Sequence, residues 1–437
     1  MMMIRIAVAI TALASSLVAC GPGQRNNGPG TADACVGLQC QQVGCGSGGS
    51  GGASTTSLSG TVYAPNGTMP LFNVVVYVPN APLDPLPVGA SCDRCGAPLS
   101  GSPIVTTQTD YTGKFTLNNV PVGINIPLVI QLGKWRRQIT IPQVTACQDN
   151  PITDAQQTRL PKNQSEGNMP RIAVTLGFCD KISCMLPKVG IDASEFGVEG
   201  QGKAVTFYTT PDPFGGGDLP GPTGMTEAKP FWSDAVKLSQ YDMVILSCEC
   251  TEAPSTKDTT SYAAMAQYLN NGGRIFSTDF QYTWYKYSPD AGIKSIGTIP
   301  GGAPDGASPV LVDATFPKGK ALADWLQYTH MTSTYGSVTP DYVFDNFSAI
   351  DSTKSTTFAS SGPPTHPRFM TMNTPVGLTP DQQCGKAVHL DAHINMSDTI
   401  DASYPAGCSS PLAQGEAAFA YFFFDLASCI QNDSGPI

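Results

Sequence analysis

The chain has 437 residues, with 34 acidic and 24 basic side chains and a formal net charge of −10. This balance leaves no cationic surface for a phosphate backbone, and we therefore expect no nucleic-acid partner. The 45 glycines and 37 prolines indicate strands and loops more than helical bundles.

Residues 1–20 have the order of a signal peptide. Arg5 precedes an apolar run, residues 6–10, that is too short to span a bilayer. The end of the segment, Leu17-Val18-Ala19-Cys20, resembles the lipobox of bacterial lipoproteins. The resemblance implies that Cys20 is acylated and becomes the new N-terminus. The alternative is a plain secretory signal with Cys20 as a bystander, which would leave a freely soluble protein.

An acylated Cys20 would attach the protein to a membrane of the cell envelope, because several acyl chains bind a bilayer without help from the polypeptide. Gly21 and Pro22 follow without an acidic residue. By analogy with enteric lipoproteins, the lack of an acidic residue directly after Cys20 favours the outer membrane, on its periplasmic face or at the surface.

The chain has 14 cysteines, which fit an oxidising compartment where disulfides persist. Acylation of Cys20 leaves an odd number, which predicts at least one free thiol or an intermolecular bridge. The remaining cysteines fall into three groups along the chain, and we expect pairing within each group. The groups are Cys35, Cys40 and Cys45; Cys92, Cys95 and Cys147; and Cys179, Cys184, Cys248, Cys250, Cys384, Cys408 and Cys429.

Residues 21–57 are rich in glycine and serine, with too little apolar surface to offset the entropy of ordering them. The composition predicts a disordered, flexible tether. A disulfide among its three cysteines would instead make a compact knot near the membrane.

Residues 58–147 contain short runs of β-branched and aromatic residues, divided by turn pairs such as Asn66-Gly67 and Thr112-Gly113. This spacing predicts a small antiparallel β-sandwich. Gly60-Thr61-Val62-Tyr63 and residues 109–115 resemble the carboxypeptidase regulatory-like domain, whose fold is transthyretin-like or Ig-like. The resemblance implies a non-catalytic accessory domain.

Within this segment, Cys92 and Cys95 have the spacing of a zinc-binding pair. No second pair at matching spacing accompanies them. Outside the cytoplasm, disulfides that involve Cys147 are the preferred interpretation.

Residues 148–169 are polar and rich in Asn, Gln and Pro, which predicts a linker. Residues 170–431 then alternate short apolar strands with segments of helical spacing, which predicts a largely parallel, doubly wound α/β domain and a multidomain chain. The predicted strands are 172–176, 204–208, 243–246, 274–277 and 387–390, and the predicted helices lie around Tyr262 to Leu269, around Leu322 to Thr329 and at 415–430.

The strand at 243–246 is preceded by Tyr241-Asp242 and followed by Ser247-Cys248-Glu249-Cys250. Together with Gly272-Gly273 before the next strand, this arrangement resembles the flavodoxin-like sheet of class I glutamine amidotransferase-like and trehalose-utilisation-type proteins. In such sheets, ligands sit at the carboxyl ends of the strands.

The resemblance suggests a hydrolase or amidase in which Cys248 is the nucleophile. His389 or His393 would act as the base, oriented by Glu249 or Asp391. The Gly-x-Cys-x-Gly elbow of such enzymes is absent, and an exported thiol beside Cys250 is open to oxidation.

A second candidate site is a metal centre of His389, Asp391 and His393. In a strand, residues i, i+2 and i+4 project from one face, and two imidazoles with a carboxylate suit a divalent metal. The alternative is that this face holds polar groups capped by loop backbone.

Stretches across the chain resemble envelope lipoproteins of myxobacteria that carry the same two domains; they are residues 76–83, 131–137, 246–249, 272–276 and 422–429. We expect a non-enzymatic protein without a cofactor that binds a glycan, a peptide or an envelope protein. Tyr282, Trp284, Tyr285 and Tyr287 are the binding candidates, because exposed aromatic side chains suit sugars and peptides. The alternative is that they pack their loop onto the domain.

Overall fold

A computed structural model describes residues 35–46, 54–211, 220–394 and 404–435. Cys20 and the predicted signal peptide lie outside these ranges, as does most of the predicted tether. None of the helices in the described ranges combines the length and apolarity that a bilayer crossing needs. Residues 37–437 form one compact unit, and within it the fold is multidomain and sheet-rich.

The first part of the chain forms two sheets, in the spatial orders β4-β1-β7 and β3-β2-β5-β6. Their strands are β1 (Ser57–Thr61), β2 (Val75–Pro79), β3 (Pro103–Gln108), β4 (Lys114–Asn118), β5 (Gly123–Leu132), β6 (Trp135–Val144) and β7 (Asp149–Ile152). Strand β4 shows why the sheets pack, since Phe115 and Leu117 are buried while the residues between and beside them are exposed. This alternation places one face of the strand in the core.

Two segments outside the predicted sandwich are also attached to these sheets. In the predicted tether, the backbone N–H of Leu38 donates to Asn80 Oδ1 at 2.9 Å, and Cys45 forms a disulfide with Cys147. The predicted linker contains β7, which pairs in parallel with β1, and helix α1 (Ala155–Thr158). The described part of the tether is therefore held against the fold, and the linker region adds a strand to it.

The rest of the chain forms an α/β unit. Its strands are β8 (Ile172–Leu176), β9 (Phe196–Gly197), β10 (Val205–Thr209), β11 (Thr226–Glu227), β12 (Met243–Leu246), β13 (Arg274–Thr278), β14 (Gly297–Thr298), β15 (Val310–Val312), β16 (Ser337–Val338), β17 (Tyr342–Val343), β18 (Ala349–Ile350), β19 (Thr356–Ser361), β20 (His366–Thr374), β21 (Gly385–Leu390) and β22 (Ala392–His393). Its helices are α2 (Met185–Lys188), α3 (Ala228–Trp232), α4 (Ala235–Leu238), α5 (Thr259–Asn270), α6 (Thr283–Lys286), α7 (Ala291–Lys294), α8 (Pro317–Tyr328) and α9 (Gln414–Ala427).

The central sheet contains the parallel run β10-β8-β12-β13-β21, which antiparallel strands β20, β19, β15 and β16 extend on one side. Numbered by their order along the chain, the five parallel strands are arranged 2-1-3-4-5. This is the strand order of flavodoxin-like sheets, whose switch point lies between the first and third strands.

Both faces of the parallel sheet are buried, which explains the unbroken apolar strands. Ile172 and Val174 belong to the same buried cluster as Phe419 and Phe422 of α9, whereas Ala173 belongs to a second cluster that contains residues of α5. The same alternation holds along β12, so neighbouring residues belong to different cores.

The two parts of the chain share the α9-side core. The Trp325 indole N–H donates to the carbonyl of Pro70 at 2.8 Å, and the rings of Trp135 and Phe424 lie 6.3 Å apart. The first sheets therefore cover helix α9 and the end of α8.

The disulfides differ from the predicted local pairing. Three of them join different groups along the chain: Cys45–Cys147, Cys92–Cys384 and Cys95–Cys429. Cys179–Cys250 and Cys184–Cys408 do pair within the last group, and Cys35 and Cys40 are also disulfide-bonded. The preferred pairing of Cys92 or Cys95 with Cys147 is thus wrong, because the fold brings residues near 384 and 429 to that loop.

A buried group of four charged side chains attaches the C-terminal segment to helix α8 and strand β21. Lys318 Nζ lies 2.9 Å from Asp425 Oδ1 and 2.7 Å from Asp433 Oδ1, and Lys386 Nζ lies 2.7 Å from a carboxylate oxygen of each aspartate. Burial opposes ionisation of both carboxyl groups. The two ammonium groups outweigh that effect and hold the pKa of Asp425 and of Asp433 below the ordinary range.

We expect Asp433→Asn to lower the free energy of unfolding by about 3–5 kcal/mol near neutral pH, because it leaves two buried ammonium groups with one carboxylate. The folded pKa of Asp433 is depressed, so its contribution is present above the unfolded value of about 3.9 and is lost as the pH falls below it. Urea unfolding at a series of pH values measures both effects.

The control is Asp305→Asn, at an exposed carboxyl group, for which little change is expected. A gap between Asp433→Asn and the unsubstituted protein that stays constant into strong acid would contradict the assignment.

Candidate functional site

Polar side chains collect at the carboxyl edge of the parallel sheet. Asp180 follows β8, Cys248 follows β12, Asp279 follows β13, and Asp391 and His393 follow β21. Strands β8 and β12 are the first and third of the parallel run, so this edge includes the switch point where ligands bind in open α/β sheets. The Cys179–Cys250 disulfide joins the two loops at that point.

Cys248 is the free cysteine of the described residues, and its side chain is fully enclosed. Its thiol donates to Asp279 Oδ2 at 3.2 Å, and its backbone N–H donates to Asp180 Oδ2 at 3.2 Å. Burial, and then the negative charges of Asp279 and Asp180, raise the pKa of the thiol well above its ordinary value. The thiolate that a nucleophile requires is therefore disfavoured.

Asp279 connects Cys248 to His393. His393 Nε2 lies 2.9 Å from Asp279 Oδ2, the oxygen that also faces the thiol. Asn346 Nδ2 donates to the other oxygen, Asp279 Oδ1, at 2.8 Å. The sulfur of Cys248, a carboxylate oxygen of Asp279 and a ring nitrogen of His393 all lie within 4.8 Å of one another. We call these three residues the Cys–Asp–His group.

The predicted set of His389, Asp391 and His393 does not come together as one group. Strand β21 ends at Leu390, so the one-face rule for i, i+2 and i+4 does not extend to His393, which lies in β22 and pairs with Tyr342. His389 Nδ1 lies 3.0 Å from Ser277 Oγ instead, and its Nε2 lies 3.8 Å from Asp391 Oδ1.

The Asp391 carboxylate binds a neighbouring loop. Its carboxylate accepts from the backbone N–H of Asn346 at 2.7 Å and from Asn346 Nδ2 at 2.6 Å. The alternative expectation, a polar face capped by loop groups, describes Asp391. Its role is therefore to hold Asn346, which in turn orients Asp279.

Glu249 does not orient either histidine. Its carboxylate forms a buried ion pair with Lys257, and Gln281 Nε2 lies 3.4 Å from it. Burial raises the pKa of Glu249, and the Lys257 ammonium opposes that shift. The predicted role of Glu249 beside a catalytic base is therefore wrong in geometry.

The aromatic segment after β13 is largely buried. Tyr282, Trp284 and Tyr285 are 0%, 3% and 1% exposed, whereas Tyr287 is 42% exposed. The Trp284 indole N–H donates to Gln281 Oε1 at 2.7 Å, and the Tyr285 hydroxyl lies 2.6 Å from Ser277 Oγ. The expected exposed platform is wrong for the three buried residues, which pack the segment onto the domain.

Sequence reasoning missed Asp180, Asp279 and Asn346. The two aspartates carry a recognisable signal, because each is a polar residue shortly after a buried parallel strand. Asn346 carries none, since it lies in a loop far along the chain from both.

A separate cleft of about 520 Å³ lies between the loop after β1 and the end of α8. Its described lining contains no Lys, Arg, Asp or Glu, and Tyr328, at the rim, is 45% exposed and meets Tyr111 edge-on at 6.3 Å. The lining residues are Thr61, Tyr63, Asn66, Thr68, Met69, Pro70, Trp325, Tyr328, Thr329, His330, Met331 and Leu412.

No protein-family model matches the chain, and no curated protein matches it in sequence. Among solved structures, a ThuA-like protein from Bacteroides uniformis covers 58% of this chain and 91% of its own length, with 11% identity and a TM-score of 0.31. A cytoplasmic protein from Salmonella typhimurium covers 60% and 100%, with 9% identity and a TM-score of 0.31. Both are weak neighbours that partly fit the α/β part.

A chain of a type II cohesin–X-dockerin complex from Acetivibrio cellulolyticus covers 24% of this chain, with 18% identity and a TM-score of 0.15. The match spans 56% of that chain's length. With TM-scores this low, none of these likenesses carries an argument about function.

We expect Cys248 to resist iodoacetamide in the folded, non-reduced protein and to react after unfolding in guanidinium, because its thiol is enclosed and protonated. Peptide mass spectrometry measures the modified fraction. Ser352→Cys, which places a thiol at an exposed position, is the positive control. Modification of Cys248 in the folded state at the rate of that control thiol would restore the cysteine nucleophile.

Proposed function

We propose that this protein is a lipid-anchored protein of the cell envelope that binds a neutral glycan without converting it. The cleft between the loop after β1 and the end of α8 carries the proposal. Its volume of about 520 Å³ suits a small ligand. An aromatic rim with neutral polar groups suits a sugar, which presents apolar ring faces and hydroxyls together.

The lining of the cleft favours a glycan over a charged peptide. Thr61, Thr68 and Tyr63 offer hydroxyl groups, and the Tyr328 ring offers a stacking face. A peptide with charged side chains would find no lysine, arginine, aspartate or glutamate partner among the described lining residues.

The alternative is a hydrolase or amidase that uses Cys248 or a metal held by His389 and His393. It has less support for two reasons. The raised pKa of the Cys248 thiol disfavours the thiolate, and His389 is not in the group that His393 forms with Cys248 and Asp279. A binding function agrees better with this geometry.

We further propose that the first two sheets are a carboxypeptidase regulatory-like β-sandwich and that the α/β part belongs to the glutamine amidotransferase-like class. The strand order 2-1-3-4-5 supports the second assignment. The relation to myxobacterial envelope lipoproteins stays a prediction from the sequence.

The anchor is tested at Cys20. We expect the mature N-terminal peptide to carry acyl groups on Cys20, and Cys20→Ser to move the protein from the membrane fraction to the soluble fraction. Ser15→Ala, in the same leader but outside the Leu17–Cys20 motif, should leave the anchoring intact. An unmodified Cys20 in protein from the native host would refute the anchor.

Glycan binding is tested with Tyr328→Ala. We expect a neutral oligosaccharide selected from a glycan array to bind the variant about twofold to thirteenfold more weakly in calorimetry, since an aromatic contact contributes about 0.5–1.5 kcal/mol. Tyr335→Ala is a matched control, because Tyr335 has the same 45% exposure and lies outside the cleft lining.

Equal weakening by both tyrosine substitutions would show that the ligand does not sit in the cleft. Binding of peptides or envelope proteins alone, with no neutral glycan on the array, would overturn the ligand class.

A further inference from the structure

We infer that the Cys–Asp–His group of Cys248, Asp279 and His393 holds a divalent transition-metal ion, with Zn²⁺ the best match to its donors. Thiolate, carboxylate and imidazole are the three donor types that protein zinc sites use. The group differs from the set predicted on one strand, because Cys248 and Asp279 come from two other strand ends.

The distances suit a zinc ion. Zinc–ligand bonds of about 2.0–2.3 Å at tetrahedral angles separate the donor atoms by about 3.3–3.8 Å. The Cys248 sulfur lies 3.2 Å from Asp279 Oδ2, and His393 Nε2 lies 2.9 Å from the same oxygen. All three donors lie within 4.8 Å of one another. Small outward movements of the side chains would therefore admit the ion.

Buried carboxyl groups surround the Cys–Asp–His group. Asp180, Asp279 and Asp391 are at most 1% exposed, and they lie at the same strand edge. Their partners in the described ranges are hydroxyls, amides, the thiol and imidazole rings. No lysine or arginine side chain is among these described partners, and buried carboxyl groups without a basic partner suit a bound metal ion.

The surrounding residues orient the ligands. Asn346 Nδ2 binds Asp279 Oδ1 and so leaves Oδ2 facing Cys248 and His393. Asp391 holds Asn346 from behind, and the Phe344 ring lies edge-on to the His393 imidazole at 4.5 Å. Outer contacts of this kind fix ligand geometry in metal sites and raise metal affinity.

Binding exchanges a proton for the metal. The Cys248 S–H bond breaks, a sulfur–metal bond forms, and the proton leaves to solvent. The Cys248 and Asp279 side chains are fully buried, and His393 is 5% exposed. Three protein ligands leave a fourth position for water or another donor. Because the three ligand side chains are buried, the ion would be enclosed by the protein. We therefore assign it a structural role, in which it links the ends of three strands.

The test is metal content and spectrum of the full chain purified without reductant. We expect about one zinc per chain by elemental analysis. Replacement by Co²⁺ should give a near-ultraviolet sulfur-to-cobalt absorption that Cys248→Ser abolishes. A chelator should lower the thermal unfolding midpoint of the unsubstituted protein and leave that of His393→Ala unchanged.

Two control variants separate the ligand from its neighbours. His389→Ala should retain the zinc, because His389 lies outside the group. His366→Ala should also retain it, since His366 lies in β20 and outside both the group and the cleft lining. Equal loss from His389→Ala and His393→Ala would replace this ligand set by the strand-based one.

Failure of the unsubstituted protein to take up either zinc or cobalt would end the proposal, and this result requires no variant to fold. The outcome is independent of the glycan proposal, since the cleft lining and the Cys–Asp–His group share no residue.

Discussion

The parallel sheet is covered on both faces, and the rest of the structure depends on that constraint. Helix α9, which the first sheets cover, buries one face, and α3, α4 and α5 bury the other. Charged side chains can then occupy only the strand ends, because an ionised group within a buried strand would lose its hydration. Arg274 and Lys386 lie at the starts of β13 and β21. Asp180, Asp279 and Asp391 lie beyond the other ends of β8, β13 and β21, and His389 is the last residue but one of β21. The collection of polar groups at one edge follows from this two-sided burial.

The sequence predicted much of this α/β unit. Strands at 172–176 and 243–246 agree with β8 and β12, and the helical spacing of Tyr262 to Leu269 falls within α5. Apolar strands and amphipathic helices have local signatures, since burial on one or two faces fixes which neighbours are apolar. The sheet order could not be read this way, because it is set by which strands meet in space.

The site was predictable only in part, for the same reason. Cys248 and His393 were singled out by residue type, yet their meeting depends on Asp279, about 30 residues from one and over 100 from the other. The burial of Tyr282 and Trp284 was not predicted either, because the amino-acid sequence does not distinguish an aromatic loop that faces water from one that packs inward. Disulfide partners as distant as Cys95 and Cys429, separated by 334 residues, have no local signal at all.

Disulfides and a shared hydrophobic core join the two parts of the chain into one compact unit. Cys92–Cys384 and Cys95–Cys429 cross between them, and Trp325 donates across the same boundary to Pro70. The cleft beside Trp325 lies on that boundary, so its walls are fixed relative to each other. A ligand entering it would meet a preformed shape and lose little affinity to the ordering of the protein.

The attachment of the segment from Gly37 to Cys45 to the first sheets has a consequence for where the proposed lipid-anchored protein can act. Because the compact unit begins at Gly37, a lipid on Cys20 would be joined to it by a short segment of chain. At about 3.3–3.6 Å per residue, a segment of this length can span at most about 60 Å. Polymers lying close to the bilayer would be sampled at a high effective concentration, and those farther out would not be reached.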